Sequence, residues 1–225
     1  MDLQGKTVLV VGASGALGAE LTKLLVAEGA RVLATATSNE SAARIPSTAT
    51  IRLLLDLEKP ESITTLTGYL AATEKIDGIV LAAGRVGFGA AAEANPADSA
   101  RLLQINFLGQ VQLLQQLHAT LKQSQEPFVA AITGVVAERS FPGMAAFCAS
   151  KQALAGWLAS VAQEWRSDNI SITDARPGHT ETGLADRAMF GVAPRFPQGH
   201  EPAHVARTIM DGIKNRAKVV GSTEF

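Results

Sequence analysis

Apolar residues along this chain fall into two alternating rhythms. Thr7–Val11 is a short β-branched run without polar alternation, the pattern of a strand buried on both faces of a parallel sheet. Leu17, Leu21, Leu24 and Leu25 then recur at helical spacing over Ala16–Glu28, and Gly29 stands where a C-cap glycine ends a helix. The same exchange continues downstream. Strands are expected at Arg31–Ala36, Thr50–Leu55, Gly78–Ala82, Phe128–Thr133 and Ile170–Ala175, with a last apolar run at Lys218–Val220. Helices are expected over 61–73, 96–122, Met144–Arg166 and 202–215. From 183 to 200 the pattern weakens, punctuated by Gly183, Gly191, Pro194 and Pro197. Strands and helices alternating in this way predict an α/β fold with a doubly wound parallel sheet. No solenoid-length repeat and no linker divides the chain, so residues 1–225 are read as one domain.

Composition narrows the class of function. The chain is 47% hydrophobic and 18% charged, which excludes a disordered or low-complexity protein. Twenty basic and 21 acidic side chains leave a net charge of −1, without the basic excess of a nucleic-acid binder. Cys148 stands alone and cannot form an intrachain disulfide. Met1-Asp2-Leu3-Gln4-Gly5-Lys6 lacks the basic start of a signal peptide. The uncharged stretch between Arg101 and Lys122 holds five glutamines and Asn106, so it reads as an amphipathic helix and not a membrane span. These features predict a cytoplasmic domain whose partners are neither nucleic acid nor membrane. No metal ligand set is assigned.

The first strand runs into Gly12-Ala13-Ser14-Gly15-Ala16-Leu17-Gly18, which opens a helix. Glycines let a phosphate approach the backbone, and the helix N-terminus offers free N–H donors and the positive end of its dipole. Strand, turn and helix at the start of a βαβ unit supply the context that a dinucleotide site requires. The end of the second strand reads the ribose: an acid there favours NAD, while its absence admits the 2′-phosphate of NADP. Here the strand ends Ala34-Thr35-Ala36-Thr37-Ser38, without an acid. NADP(H) is therefore preferred and NAD(H) is the alternative. Arg44 is a distant basic candidate, and Glu40 reads as a solvated loop acid.

With these residues in place, the chain resembles the short-chain dehydrogenase/reductase family over nearly its whole length. The markers are Gly12 to Gly18, Asp56 after the third strand, Ala83-Gly84 after the fourth and Asn106 in the long helix. Pro142-Gly143, Ala149-Ser150-Lys151 and Pro177-Gly178 with Thr182 follow in register. The resemblance implies a Rossmann-type sheet with a cofactor laid across the strand ends. Gly12, Ser14, Gly15, Ala16, Leu17 and Gly18 would hold the phosphates, and Ala36, Thr37 and Ser38 the ribose. Asp56 and Leu57 would meet the adenine, and Ala83 and Gly84 the middle of the cofactor. Lys151, Pro177, Gly178, Thr180 and Thr182 would meet its nicotinamide end.

The departures from the family pattern are informative. The second glycine of the turn is Gly15 instead of position 16, similar to the extended branch of the family. The usual Asn-Asn-Ala-Gly is Leu81-Ala82-Ala83-Gly84. Of the family's Asn, Ser, Tyr and Lys set, Asn106 and Lys151 remain, while Gly134 occupies the serine position and Phe147 the tyrosine position. In the family, tyrosine protonates the substrate oxygen as hydride arrives, lysine lowers the tyrosine pKa, and serine holds the carbonyl. Losing a general acid costs about 10²–10⁴ in rate, so ordinary carbonyl reduction is expected to be severely slowed.

His179, after Pro177-Gly178, is the candidate replacement acid; its other reading is a loop residue touching cofactor or solvent. Cys148 lies about 100° around the helix from Phe147 and points elsewhere. Thr133 reads as a strand residue and His118 as structural or exposed; Arg85 and Arg139 are either ligands for an anionic substrate or solvated. The leading expectation is an NADP(H)-dependent oxidoreductase acting on a small carbonyl, alcohol or imine substrate. The alternatives are a catalytically silent NAD(P)-binding sensor or partner subunit, and a non-redox lyase or isomerase. Gly134→Ser with Phe147→Tyr is expected to raise carbonyl reductase activity. A substrate lid is expected within 183–200, where Met189, Phe190, Val192 and Phe196 either cap the site or pin the loop. By resemblance the chain forms a homodimer or homotetramer, and Trp157 and Trp165 belong to core or interface.

Overall fold

A computed structural model describes residues 1–225. Seven parallel strands form one sheet: β1 (Thr7–Val11), β2 (Arg31–Ala36), β3 (Ile51–Leu54), β4 (Gly78–Leu81), β5 (Phe128–Ile132), β6 (Ser171–Ala175) and β7 (Val219–Val220). Their order is β3-β2-β1-β4-β5-β6-β7. The chain winds outward from β1 to β3, then returns to the other side of β1 with β4. That reversal opens a crevice at the carboxyl ends of β1 and β4, where ligands bind in open α/β sheets.

The helices are α1 (Ala16–Ala27), α2 (Asn39–Ala42), α3 (Pro60–Thr73), α4 (Pro96–Leu103), α5 (Gly109–Leu121), α6 (Ala145–Glu164) and α7 (Pro202–Lys214). Both faces of the sheet are covered, which explains why β1 lacks polar alternation. Leu9 and Val11 join a core with Leu66, Leu113 and Leu158 from α3, α5 and α6. Val8 and Val10 point the other way, into a core with Leu21 and Leu25 of α1 and Ile209 of α7. A third, smaller cluster of Val86, Phe88, Leu102, Val136, Phe147 and Cys148 lies apart from these two. No helix is long and apolar enough to cross a membrane.

Two elements depart from the pattern read in the sequence. The expected helix over 96–122 is two α-helices joined by a π-helical turn at Gln104–Leu108. The cause is tertiary. Asn106 is fully buried, and its amide grips both backbone groups of Arg85, accepting from the N–H at 2.9 Å and donating to the carbonyl at 2.8 Å. Such π-turns are common at functional sites. Helix α2 was not expected; Ser38 caps it, exchanging bonds with Ser41 in a reciprocal capping box. The two tryptophans sit together: Trp165 is buried and meets Trp157 edge-on at 5.8 Å. His118 lies 4.6 Å from Trp165 and is bonded to Asp168 at 2.9 Å, a structural role.

Candidate active site

A single cavity of about 1400 Å³ follows the crevice at the strand ends. That exceeds the 300–1,000 Å³ of ordinary small-ligand pockets and leaves room for a dinucleotide with a second molecule. Its wall begins at Gly12, Ser14, Gly15, Ala16 and Leu17, and continues past Ala36, Thr37, Asp56 and Leu57 to Ala83 and Gly84. It ends among Gly134, Phe147, Lys151, Pro177, Gly178, His179, Thr180 and Thr182. Segments far apart in sequence therefore form one continuous surface.

Three of the residues assigned from sequence are not on that wall. Gly18 packs inward: a Cβ there would stand 2.2 Å from the carbonyl oxygen of Gly12. It sets how closely α1 approaches the turn. Ser38 spends its side chain capping α2, leaving Thr37, Ser41 and Arg44 on the wall at the ribose end. Asn106 faces the protein, with its remaining bond a donation to Ser150 Oγ at 2.9 Å. It braces Arg85 and the loop after β4 instead of reaching the cavity.

At the phosphate end the backbone comes very close to itself. Gly12 has φ +84°, and a Cβ on it would lie 2.7 Å from the Cα of Ala83. Helix α1 has Gly15 at its N-cap, so it has no side-chain cap, and its first turn holds no acid. Its first N–H groups stand free at the cavity. A Gly18→Ala substitution is expected to destabilise the chain by roughly 1–3 kcal/mol through overpacking. Thermal unfolding with and without nucleotide checks it; an unchanged midpoint would mean the turn can shift.

At the other end, the side chains that would move protons are replaced or redirected. Phe147 is buried, one helical turn before Lys151 on α6. Lys151 Nζ donates to the carbonyl of Ile132 at 2.8 Å, and burial pulls its pKa down to about 8. Asp174 opposes that shift. This carboxylate is buried on β6, accepting from the hydroxyl of Thr133 and from the Arg176 guanidinium at 2.8 Å. Thr133 is thus more than a strand residue.

Gly134 is not a serine position with the hydroxyl trimmed away. Its φ of +81° and ψ of 168° lie in a region that only glycine visits readily. The space beside it is open, since a Cβ would meet nothing closer than 3.6 Å. The obstacle to serine is therefore conformational. Cys148 is buried among apolar side chains and takes no part.

The segment 183–200 forms the mouth. Backbone bonds from Met189 N–H to Val86 O and from Phe88 N–H to Phe190 O pin it to the loop after β4. Phe196 reaches the cavity and stacks on His179 at 4.7 Å, while Val192 points into solvent. His179 Nε2 also lies 3.6 Å from Glu181. His200, Arg187 and the C-terminal Ser222 and Thr223 line the cavity too, and none was identified from sequence. Ser222 donates to Glu138 and holds that carboxyl below its usual value. Their distance along the chain hid them; only the folded contacts bring them together.

A family model described as short chain dehydrogenase matches residues 6–189. The chain is 26% identical over 238 residues to "Dehydrogenase/reductase SDR family member 7B" of Bos taurus, covering 97% of this chain and 73% of that protein. It is 28% identical over 215 residues to the Saccharomyces cerevisiae "NADPH-dependent 1-acyldihydroxyacetone phosphate reductase", covering 91% and 71%. A short chain dehydrogenase from Burkholderia cenocepacia, solved in complex with NADP, superposes with a TM-score of 0.86 at 19% identity, covering 99% of this chain and 90% of that one. That structure shares the fold. The glycine turn, the parallel sheet and a match running from β1 past the strand-end loops place the chain in the short-chain dehydrogenase family.

Proposed function

We propose that this protein is an NADP(H)-dependent oxidoreductase that reduces a small carbonyl or imine, or oxidises the matching alcohol or amine, without the family's tyrosine. The observation that carries this reading is the continuous cavity joining an uncapped helix N-terminus to a buried lysine. The residues present fit a dinucleotide. Gly12 and Gly15 keep side chains away from the phosphates, and the free N–H groups of α1 face the same space. Thr37, Ser41 and Arg44 line the ribose end with hydroxyls and one guanidinium. Asp56 is the nearest lining acid in sequence, beyond the end of β2. That favours a 2′-phosphate over a bare ribose.

When bound, the reduced cofactor supplies a hydride. The chain's own residues bind, orient and exclude water. Phe147, Met144, Phe141, Val136 and Phe196 give the substrate end an apolar wall. His179 lines the same wall with one ring face stacked on Phe196, so it also anchors the lid segment while its ring nitrogens stay available for proton transfer. The yeast relative's name, an NADPH-dependent reductase, agrees with this reading.

Calorimetric titration of the nucleotide-free protein tests it. NADPH is expected to bind at least about tenfold more tightly than NADH, a difference of 1.4 kcal/mol. Arg44→Ala is expected to erase most of that preference. Binding of neither nucleotide would overturn the oxidoreductase reading and leave a non-redox use of the cavity.

A further inference from the structure

Resting on the reductase reading, we propose that Lys151 Nζ, held by the Ile132 carbonyl, donates the proton to the substrate oxygen, with Asp174 as the residue whose charge favours this ammonium. Three observations support the assignment. Lys151 is the one cationic side chain that is both buried and on the cavity wall. Its ammonium carries three protons and has one protein acceptor, the Ile132 carbonyl, so two N–H bonds remain for groups in the cavity. The one charge that favours its ammonium belongs to Asp174, a carboxylate that no feature of the cofactor site requires.

That carboxylate is built in. Thr133, the residue after Ile132, donates its hydroxyl to Asp174 Oδ1. Arg176 donates Nε to Oδ2 at 2.8 Å, and its Nη2 makes an ion pair with the same oxygen at 2.8 Å. Lys151 is thus tied to the strand end at Ile132, and the carboxylate to the same strand end at Thr133. A buried acid on a strand paired on both sides is costly unless balanced by cations. Arg176 is partly exposed and satisfies one oxygen; the field of the carboxylate also reaches Lys151 and favours its charged form.

The other charged groups around Lys151 do not replace Asp174. Arg85 follows β4, Glu138 and Arg139 follow β5, and His179 follows β6. Glu138 is exposed and bonded to Ser222. The π-turn contributes only the neutral Asn106, and α6 carries no acid before Glu164.

The step balances as follows. Hydride from a reduced nicotinamide adds two electrons to the carbonyl carbon, and the C=O π pair moves onto oxygen. That oxygen takes a proton from Nζ, leaving a neutral amine and an alcohol. The amine regains a proton from water through the open cavity. Burial lowers the pKa of Lys151 to about 8, so the ammonium is a better acid than an ordinary lysine and still charged at neutral pH.

The test reads Lys151 directly, through the NMR titration of its Cε in ¹³C-lysine-labelled, nucleotide-free protein, assigned with Lys151→Met. Asp174→Asn is expected to lower its proton affinity by about tenfold or more. The alkaline limb of the pH–rate profile for NADPH consumption should move down in step. Should Asp174→Asn fail to fold, Arg176→Met is the second variant. It frees the carboxylate from its competing cation, so the titration and the limb should move upward together. A Lys151 titration unmoved in the variant that folds overturns this proposal alone. So does a titration that moves while the rate limb stays. No NADPH consumption at any pH, with any carbonyl or imine, overturns the donor and the reductase reading together.

Discussion

Replacing Phe147 by tyrosine is expected to raise NADPH-dependent carbonyl reduction by about 10²-fold, the low end of what a general acid supplies. The ring position is already prepared. Phe147 lines the cavity one helical turn from Lys151, so a phenol there would share a helix face with the ammonium. The gain falls at the low end because Lys151 already provides a proton in the parent chain. The measurement is NADPH consumption over a panel of aldehydes and ketones, compared at equal folded concentration. A folded Phe147→Tyr chain with no gain would show that the pocket no longer places a carbonyl oxygen beside this ring.

Adding Gly134→Ser to that variant is not expected to help as the sequence alone suggested. Serine at φ +81° and ψ 168° costs on the order of 1–3 kcal/mol. Either the chain loses that stability or the backbone turns and carries the hydroxyl away from the cavity. The strand-end peptides are held by bonds from Thr133 N–H and Gly134 N–H to the carbonyl of Ala175, so a turn would break at least one. The single variant should therefore outperform the double. The site has adapted its backbone to the glycine, beyond losing a side chain.

Legibility followed the range of the interactions. β1, the glycine turn and α1 were readable because their signals are local: an apolar run, a backbone that tolerates no Cβ, and a leucine stripe. α3 begins at Pro60, which suits the first position of a helix, and the reading fell one residue short of it. The π-turn was hidden because Asn106 bends the helix to reach Arg85, a partner 21 residues away. The cavity's cofactor half follows from strand-end positions, which an α/β pattern fixes. Its substrate half depends on Arg187, Phe196 and His200 from the expected lid segment, whose irregular backbone gives no period to say which side chains turn inward, and on Ser222 from the distant C-terminus. Asp174 did leave a signal: an acid inside a buried strand run implies a partner, and Arg176 two residues on shares its face.

Lys151→Met is expected to make the nucleotide-free protein more stable while removing its function. A pKa drawn from 10.5 down to about 8 means that burying the ammonium costs roughly 3 kcal/mol. Methionine has similar length and no charge, and Asp174 keeps Thr133 and Arg176 as partners. The sign follows from linkage. Because the folded pKa lies below the unfolded one, the unfolded chain binds more protons between pH 8 and 10.5. The penalty is present in full below pH 8 and fades as pH rises towards 10.5. Urea unfolding at pH 7 should favour Lys151→Met by about 2–3 kcal/mol, with the gap narrowing steadily above pH 8. Saturating NADPH should narrow the gap, because a ligand stabilises most the chain that binds it most tightly. A Met variant less stable than the parent, or a gap independent of pH, would show that the lysine is structural cement. The parent chain would then be carrying no strained charge for catalysis to use.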